Sequence, residues 1–166
     1  MNSASSFVIE LLNRNHDRTG FNCGIDSLNR YLRHQANQDT KRQISRVFVA
    51  HPPEEKTKVL GFYTLSALSI DLSALPEKIA KKLPRHAVPA ALIGRLAVDL
   101  SAQGTGTGQM LLADAIKRTL AVSDDIAIYA TVVDAINHQA ESFYRRYGFA
   151  RLAHGGSRLF LPLRSL

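Results

Sequence analysis

The chain has 166 residues, of which 45% are hydrophobic and 21% charged. That is long enough for a single domain over residues 1–166, burying about two-thirds of its unfolded surface, and too ordinary a composition for disorder, collagen or a coiled coil. Lys and Arg number 21 against 14 acidic residues, a net charge of +7; this favours polyanionic partners such as nucleic acid, a phosphorylated cofactor or an acidic protein. The one thiol, Cys23, excludes an internal disulfide and an all-cysteine zinc site. No apolar run approaches the ~18 residues that span a bilayer. The opening Met1-Asn-Ser-Ala-Ser-Ser6 has neither the basic nor the long apolar region of a secretory signal. The expectation is a cytoplasmic protein with no membrane partner.

In chain order, residues 7–10 (Phe-Val-Ile-Glu) form a short strand. Ile25, Leu28, Tyr31, Leu32 and Ala36 then recur at helical spacing over 25–37. Residues 46–50 and 59–69 read as strands of a hairpin, with the Pro52-Pro53 turn between them. Residues 71–90 are irregular, punctuated by prolines, with a short helix at 77–82. The apolar run 91–98 reads as a central strand covered on both faces. The loop 99–107 leads into a helix of about 14 residues, whose apolar stripe includes Met110, Leu111, Ala115 and Leu120. Another buried strand follows at 126–133. Asn137 caps a helix through Tyr147, with Gly148 as the left-handed stop. Strands at 149–153 and 157–163 close the chain, joined by His154-Gly155-Gly156. The order is β-α-β-β-(α)-β-α-β-α-β-β, an α/β mixed sheet.

The most specific local feature is Gln103-Gly-Thr-Gly-Thr-Gly108, between a buried strand and a helix. Glycines there let backbone N–H groups approach a ligand, and the helix N-terminus adds unsatisfied donors, which suits a phosphate or pyrophosphate. No Lys follows as a P-loop demands, and Gln109 stands where a dinucleotide fingerprint needs glycine. Asp124 precedes the next strand, whereas a ribose-binding acid belongs at that strand's end. The six histidines show no pair at zinc-ligand spacing on one helix, so no metal is expected.

Gln103-x-x-Gly106-x-Gly108 resembles the acyl-CoA signature of the Gcn-related N-acetyltransferase (GNAT) superfamily. Leu96-Ala-Val98 before it and Asn137-x-x-Ala140-x-x-Phe-Tyr144-x-x-Tyr-Gly-Phe149 after it fit the same pattern. Phe21-Asn-Cys-Gly24, Leu28-Asn-x-Tyr-Leu32 and Gly94-Arg-Leu-Ala-Val-Asp99 resemble a narrower branch, the toxins of toxin–antitoxin modules that acetylate aminoacyl-tRNA. The resemblance implies a GNAT fold, a mixed and mostly antiparallel sheet splayed at a central parallel pair and flanked by helices. It implies acetyl-CoA as cofactor, its pantetheine arm pairing along Leu96, Ala97 and Val98. Its diphosphate would lie on the N–H groups of Gln103, Gly104, Thr105, Gly106, Thr107 and Gly108, with side-chain contacts from Gln103 and Thr107. Asn137 would bond the pantetheine; a plain helix cap is the other reading, and both roles can coexist. Tyr144 matches the general acid that protonates the leaving thiolate; on pattern alone it reads as a core aromatic, as Tyr147 does.

The strand 91–98 carries no Asp or Glu to serve as a base. A lysine acceptor (pKa ~10.4) would need one, whereas an α-amine (~7.7–8.0) is already substantially neutral. Asp99 and Asp134 are the fallback bases. A tRNA acceptor presents closely spaced phosphates; Arg30, Arg33, Lys41 and Arg42 near the first helix, and Arg145, Arg146 and Arg151 near the last, are the candidate contacts. Arg95, on an otherwise apolar strand, stands either at the acetyl or acceptor site or against an acid at a dimer interface. The resemblance further implies a ribbon-helix-helix antitoxin, operator DNA bound only through it, and a homodimer. Two alternatives stay open: a GNAT enzyme acting on a small amine or protein lysine, and a non-catalytic RNA- or protein-binding scaffold.

Overall fold

A computed structural model describes residues 6–154 and 156–166. The opening segment to residue 5 and Gly155 of the final turn lie outside the described residues. Seven strands are hydrogen-bonded in the order β1-β2-β3-β4-β5-β7-β6. They are β1 (Val8–Leu11), β2 (Arg46–His51), β3 (Gly61–Ile70), β4 (Val88–Val98), β5 (Ala130–Asp134), β6 (Ala150–Arg151) and β7 (Arg158–Pro162). One pair is parallel, β4 with β5, from Ala90↔Ala130 to Ile93↔Val133. The expected mixed, mostly antiparallel sheet with a parallel pair is the observed one. No helix among the described residues is long and apolar enough to cross a membrane.

The chain packs as two units, Met1–Ser66 with Arg95–Lys117 and Ala67–Gly94 with Arg118–Leu166. In the first, β2 lies antiparallel to β1 (Val8↔His51) and to β3 (Ala50↔Gly61). From Val47 onward β2 is buried at every residue, so both of its faces are covered. The helical segment runs as α1 (Asp26–Arg30), a π-helical turn (Tyr31–Gln35) and α2 (Ala36–Lys41). Leu28, Tyr31, Leu32 and Ala36 are buried as their spacing predicts, in one cluster with Phe21, Val47, Val49 and Phe62. The helix outlasts the expected stop at residue 37. Its end is Gln43 at φ 63°, where Gln43 N–H bonds Thr40 C=O and Ile44 N–H bonds Asp39 C=O. That is a Schellman closure without the glycine that usually announces it.

Helix α4 (Thr107–Val122) buries Leu111, Leu112, Ala115 and Thr119, not the whole expected stripe: Met110 is 40% and Leu120 38% exposed. At 100° per residue, both lie about 140° around the helix from Ala115. In the second unit, Ile70, Leu75, Val88, Ala90, Ala130, Val132, Leu152 and Phe160 form the core. A further short helix, α3 (Glu77–Ala80), lies between β3 and β4. β5 begins at Ala130 rather than 126, because Ile126, 67% exposed, still bonds back to Val122 C=O as the end of the α4 turn. Helix α5 (His138–Arg146) starts on Asn137, whose Oδ1 accepts from Ala140 N–H at 2.8 Å. It ends on Gly148 (φ 96°), with Phe149 N–H reaching Tyr144 C=O.

Candidate active site

At the end of β4, Asp99 accepts from the Asn22 amide at 2.9 Å and from Ser101 N–H and Oγ at 3.0 and 2.6 Å. A 3₁₀ turn (Leu100–Ala102) follows, then the glycine loop. Gly104 and Gly106 hold φ 79° and 89°, and a Cβ at either would meet nothing within 4 Å. Glycine is needed there for its left-handed backbone, not for space, and the loop faces open surroundings. The first helical bond of α4 runs from Met110 N–H to Gly106 C=O, so the N–H groups just before it lack intrahelical acceptors. Gly108 lies inside α4 with an ordinary helical φ.

The loop's side chains turn the other way. Gln103 Nε2 donates to Cys23 C=O at 3.0 Å and to Val98 C=O at 2.9 Å. Thr105 Oγ1 gives its proton to Ala102 C=O, which makes the buried Thr107 hydroxyl, 2.9 Å away, the donor to Thr105. The side-chain contacts expected from Gln103 and Thr107 toward a diphosphate are therefore not made available: those donors are spent on the protein. An anion here meets backbone N–H groups.

The β4–β5 ladder ends at Ile93↔Val133, while β4 continues to Val98. Ala97 C=O faces β3, where a Cβ on Gly61 would come within 2.8 Å of it, and Asp99 N–H bonds Leu60 C=O. Strand alternation turns the backbone groups of Leu96 and Val98 to the opposite edge. Gln103 already occupies Val98 C=O on that edge. Arg95 lies over an aromatic face, its guanidinium carbon 3.7 Å from the Tyr31 ring centroid, and makes no ion pair with a described residue. Tyr31 donates to Asp39 at 2.8 Å; burial first, then that bond, pushes its phenol up to about 12.

On α5, Tyr144 is 3% exposed, its ring against Phe143 (5.3 Å) and Phe149 (5.6 Å). Its hydroxyl makes no hydrogen bond to a described residue. Burial, and secondarily the Asp134 charge, pushes the phenol well above its ordinary range, so the proton stays in place at any physiological pH. Phe143 also takes Tyr147 edge-on at 5.2 Å, the expected packing role. The cap bond uses only the oxygen of the exposed Asn137 carboxamide, leaving its NH₂ group outward.

Neither fallback base suits the task. Asp99 is raised by burial but more than offset by its bonds from Ser101 and Asn22, which hold it below the usual carboxylate range. Asp134 pairs with Arg158 at 3.0 Å. Several expected RNA contacts are also balanced locally. Arg30 pairs with Asp26 at 2.9 Å, Arg151 grips both oxygens of Glu141 at 2.7 Å, and Arg145 stands 3.6 Å from the same carboxylate. Asp26 and Glu141 each stand four residues before the arginine they face, Arg30 and Arg145. Lys41, Arg42 and Arg146 are exposed, with no ion pair to a described residue. Arg33 is half-buried, and its Nε has no hydrogen-bond partner among the described residues.

One cluster escaped the sequence because its members sit on a strand, a loop and another strand. Glu10 Oε2 lies 2.9 Å from both His16 Nε2 and His51 Nε2, and both rings are buried. His51 Nδ1 faces Pro52 C=O, and His16 Nδ1 accepts from the Asn13 amide. Every ring nitrogen thus has a hydrogen-bonding role, and the cluster ties β1 to the end of β2. A metal on His16 Nε2 would demand a proton on Nδ1, against the Asn13 N–H.

A family model described as an acetyltransferase (GNAT) domain matches residues 84–158. A "Probable toxin TacT" of Sinorhizobium fredii (strain NBRC 101917 / NGR234) is 32% identical over 98% of this chain and 94% of its own length. A "tRNA-acetylating toxin" of Mycobacterium tuberculosis (strain ATCC 25618 / H37Rv) is 37% identical over 80% of this chain and 78% of its own. Among solved structures, AtaT complexed with acetyl-methionyl-tRNAfMet superposes with a TM-score of 0.90 at 32% identity, covering 96% of each chain. A tyrosine-to-phenylalanine mutant of AtaT, bound to the C-terminus of the antitoxin AtaR and acetyl-CoA, gives 0.82 at 27% identity, over 97% and 96%. Similarity to curated relatives over nearly the whole length, a matching acetyltransferase family model and a shared backbone converge: the chain belongs to the GNAT acetyltransferase family.

Proposed function

We propose that this protein is an acetyl-CoA-dependent N-acetyltransferase whose acceptor is the α-amino group of aminoacyl-tRNA, acting as one domain and blocking translation as the toxin of a toxin–antitoxin pair. The observation that carries the reading is the glycine loop: left-handed Gly104 and Gly106 with open space before them, at the start of a 16-residue helix. That arrangement fits the diphosphate of a coenzyme. Likeness to a relative solved with acetyl-methionyl-tRNAfMet supports the acceptor.

When bound, acetyl-CoA supplies an acetyl group as a thioester. The backbone N–H groups of residues 103–108 would hold the diphosphate, and the edge of β4 beyond the β5 ladder would offer the pantetheine amides the backbone of Leu96 and the Val98 N–H, Val98 C=O being held by Gln103. Asn137 contributes its unused NH₂ group. Tyr144, still protonated, would give its proton to the departing sulfur, and the proton that the attacking amine loses would return through water to restore the phenol. No carboxylate lies on β4 to deprotonate an acceptor, so this chain suits an amine that arrives neutral, as an α-amine near pH 8 does. Lys41, Arg42 and Arg146, in no ion pair with a described residue, offer the phosphates of a tRNA their counter-charge. A ribbon-helix-helix antitoxin, operator DNA held only through that antitoxin, a homodimer and a cytoplasmic location belong to the same proposal.

The test offers labelled acetyl-CoA to charged tRNA, deacylated tRNA and a mixture of polyamines and proteins. Label on charged tRNA alone is the expected result; label confined to protein lysines overturns the acceptor.

A further inference from the structure

The glycine loop does not hold itself. Its first residue, Gln103, hangs by two donated hydrogen bonds, one of them to Cys23, 80 residues earlier. Leu100 N–H bonds Asn22 C=O at 2.8 Å, and Asn22 N–H returns a bond to Asp99. The turn Asn22–Gly24 thus grips Asp99–Gln103 at both ends. Gly24 (φ 88°) sits 3.4 Å, measured from an added Cβ, from the Leu100 side chain.

Asn29, buried in α1 at 6% exposure, holds that turn. Its Oδ1 accepts from Cys23 N–H at 2.9 Å, and its Nδ2 donates to Asn22 Oδ1 at 3.0 Å. Asn22 Oδ1 also takes Gly24 N–H at 2.9 Å. One carboxamide therefore fixes the residue whose carbonyl receives Gln103 and orients the residue that receives Leu100. Asn29 itself is enclosed and engaged at both of its polar atoms, so any effect on a ligand passes through the turn.

We propose that Asn29 is a positioning residue for acetyl transfer, acting through the Asn22–Gly24 turn on the loop that presents the backbone donors of residues 103–108; this rests on the reading of that loop as the coenzyme site. The backbone donors must be aimed before the coenzyme arrives, because an anion gains most from dipoles that need not reorganise. Helix α1 supplies the aim from the far end of the sequence.

Asn29→Asp keeps the size and the oxygen facing Cys23 but sets an oxygen against Asn22 Oδ1. Steady-state kinetics of the full-length protein on charged tRNA should show the KM for acetyl-CoA raised about tenfold, the scale of one buried polar group left unmatched. The kcat and the KM for charged tRNA should stay within about twofold. Asn22→Ala, exposed and outside the coenzyme loop, removes the acceptor of Asn29 Nδ2 and Gly24 N–H and should give the same split; it serves if Asn29→Asp does not fold. A merely structural role would instead lower kcat through a smaller folded fraction at unchanged KM, and that result overturns the proposal. An active wild type with both variants unmoved also overturns it while leaving the functional reading intact. A wild type that fails to acetylate charged tRNA overturns both.

Discussion

The glycine loop and helix α5 present two opposite solutions to building a reactive site. In the loop, exposed backbone faces outward and the side chains of Gln103, Thr105 and Thr107 bond inward. In α5 the reactive candidate, Tyr144, is the buried side chain, and the charged residues face out. A binding function for a polyanion tolerates many side chains provided the backbone is held at φ values only glycine adopts cheaply. A proton donor depends on one atom, and burial keeps its proton on by denying the phenolate solvation.

The sharpest contrast comes from Tyr144→Phe. The hydroxyl makes no hydrogen bond within the described residues, so stability should hardly change, while kcat should fall at least about 100-fold, the scale of general acid catalysis. Acetyl-CoA affinity by calorimetry should stay within about twofold. A variant with full activity would reassign Tyr144 to packing alone.

Gly106→Ala probes the other region. At φ 89°, with nothing near its Cβ, alanine suffers only backbone strain of about 1–2 kcal/mol. The expected result is roughly a tenfold rise in the KM for acetyl-CoA with kcat retained. A fall in kcat at unchanged KM would show that the loop does more than hold the coenzyme.

A smaller effect separates unpaired from paired cations. Removing Arg42 or Arg146 should weaken tRNA binding and reduce the slope of log K against log salt by about one each, as a lost phosphate contact does. Removing Arg30 should change the slope less, because Asp26 already balances it. Equal slopes for all three would place the tRNA elsewhere.

The smallest effect belongs to Arg151 and Glu141 on the rim of α5. The Arg151 hydrogen bonds hold the Glu141 carboxyl below its ordinary value near 4.5. A depressed carboxylate stabilises the fold above its unfolded pKa and loses that contribution as pH falls through the folded one. Arg151→Ala should therefore lower Tm slightly at pH 7, and the difference from wild type should vanish in acid. A difference that persists in acid would point to packing by the Arg151 stem instead of charge.

Much of this molecule was legible locally. Asn137 and Gly148 bracket α5 as cap and stop, and the apolar run to Val98 is the central strand. Gly104 and Gly106 were expected as glycines for close approach, whereas the structure uses them for their left-handed backbone. Where the reading slipped, a non-local or atypical feature was responsible. Gln43 closed a helix without glycine, and Met110 and Leu120 lay off the face that α4 buries.

By itself the sequence determined the element order and the family pattern, because backbone preference and hydrophobic period act over a few neighbouring residues. Only the tertiary structure decided where the polar ends point: Gln103 to Cys23 and Val98, Arg95 onto Tyr31, and Glu10 between two histidines. Those partners are chosen by which strands and turns pack side by side. Except for Gln103 to nearby Val98 and Glu10 to His16, they come from distant stretches of chain, so no local pattern could announce them.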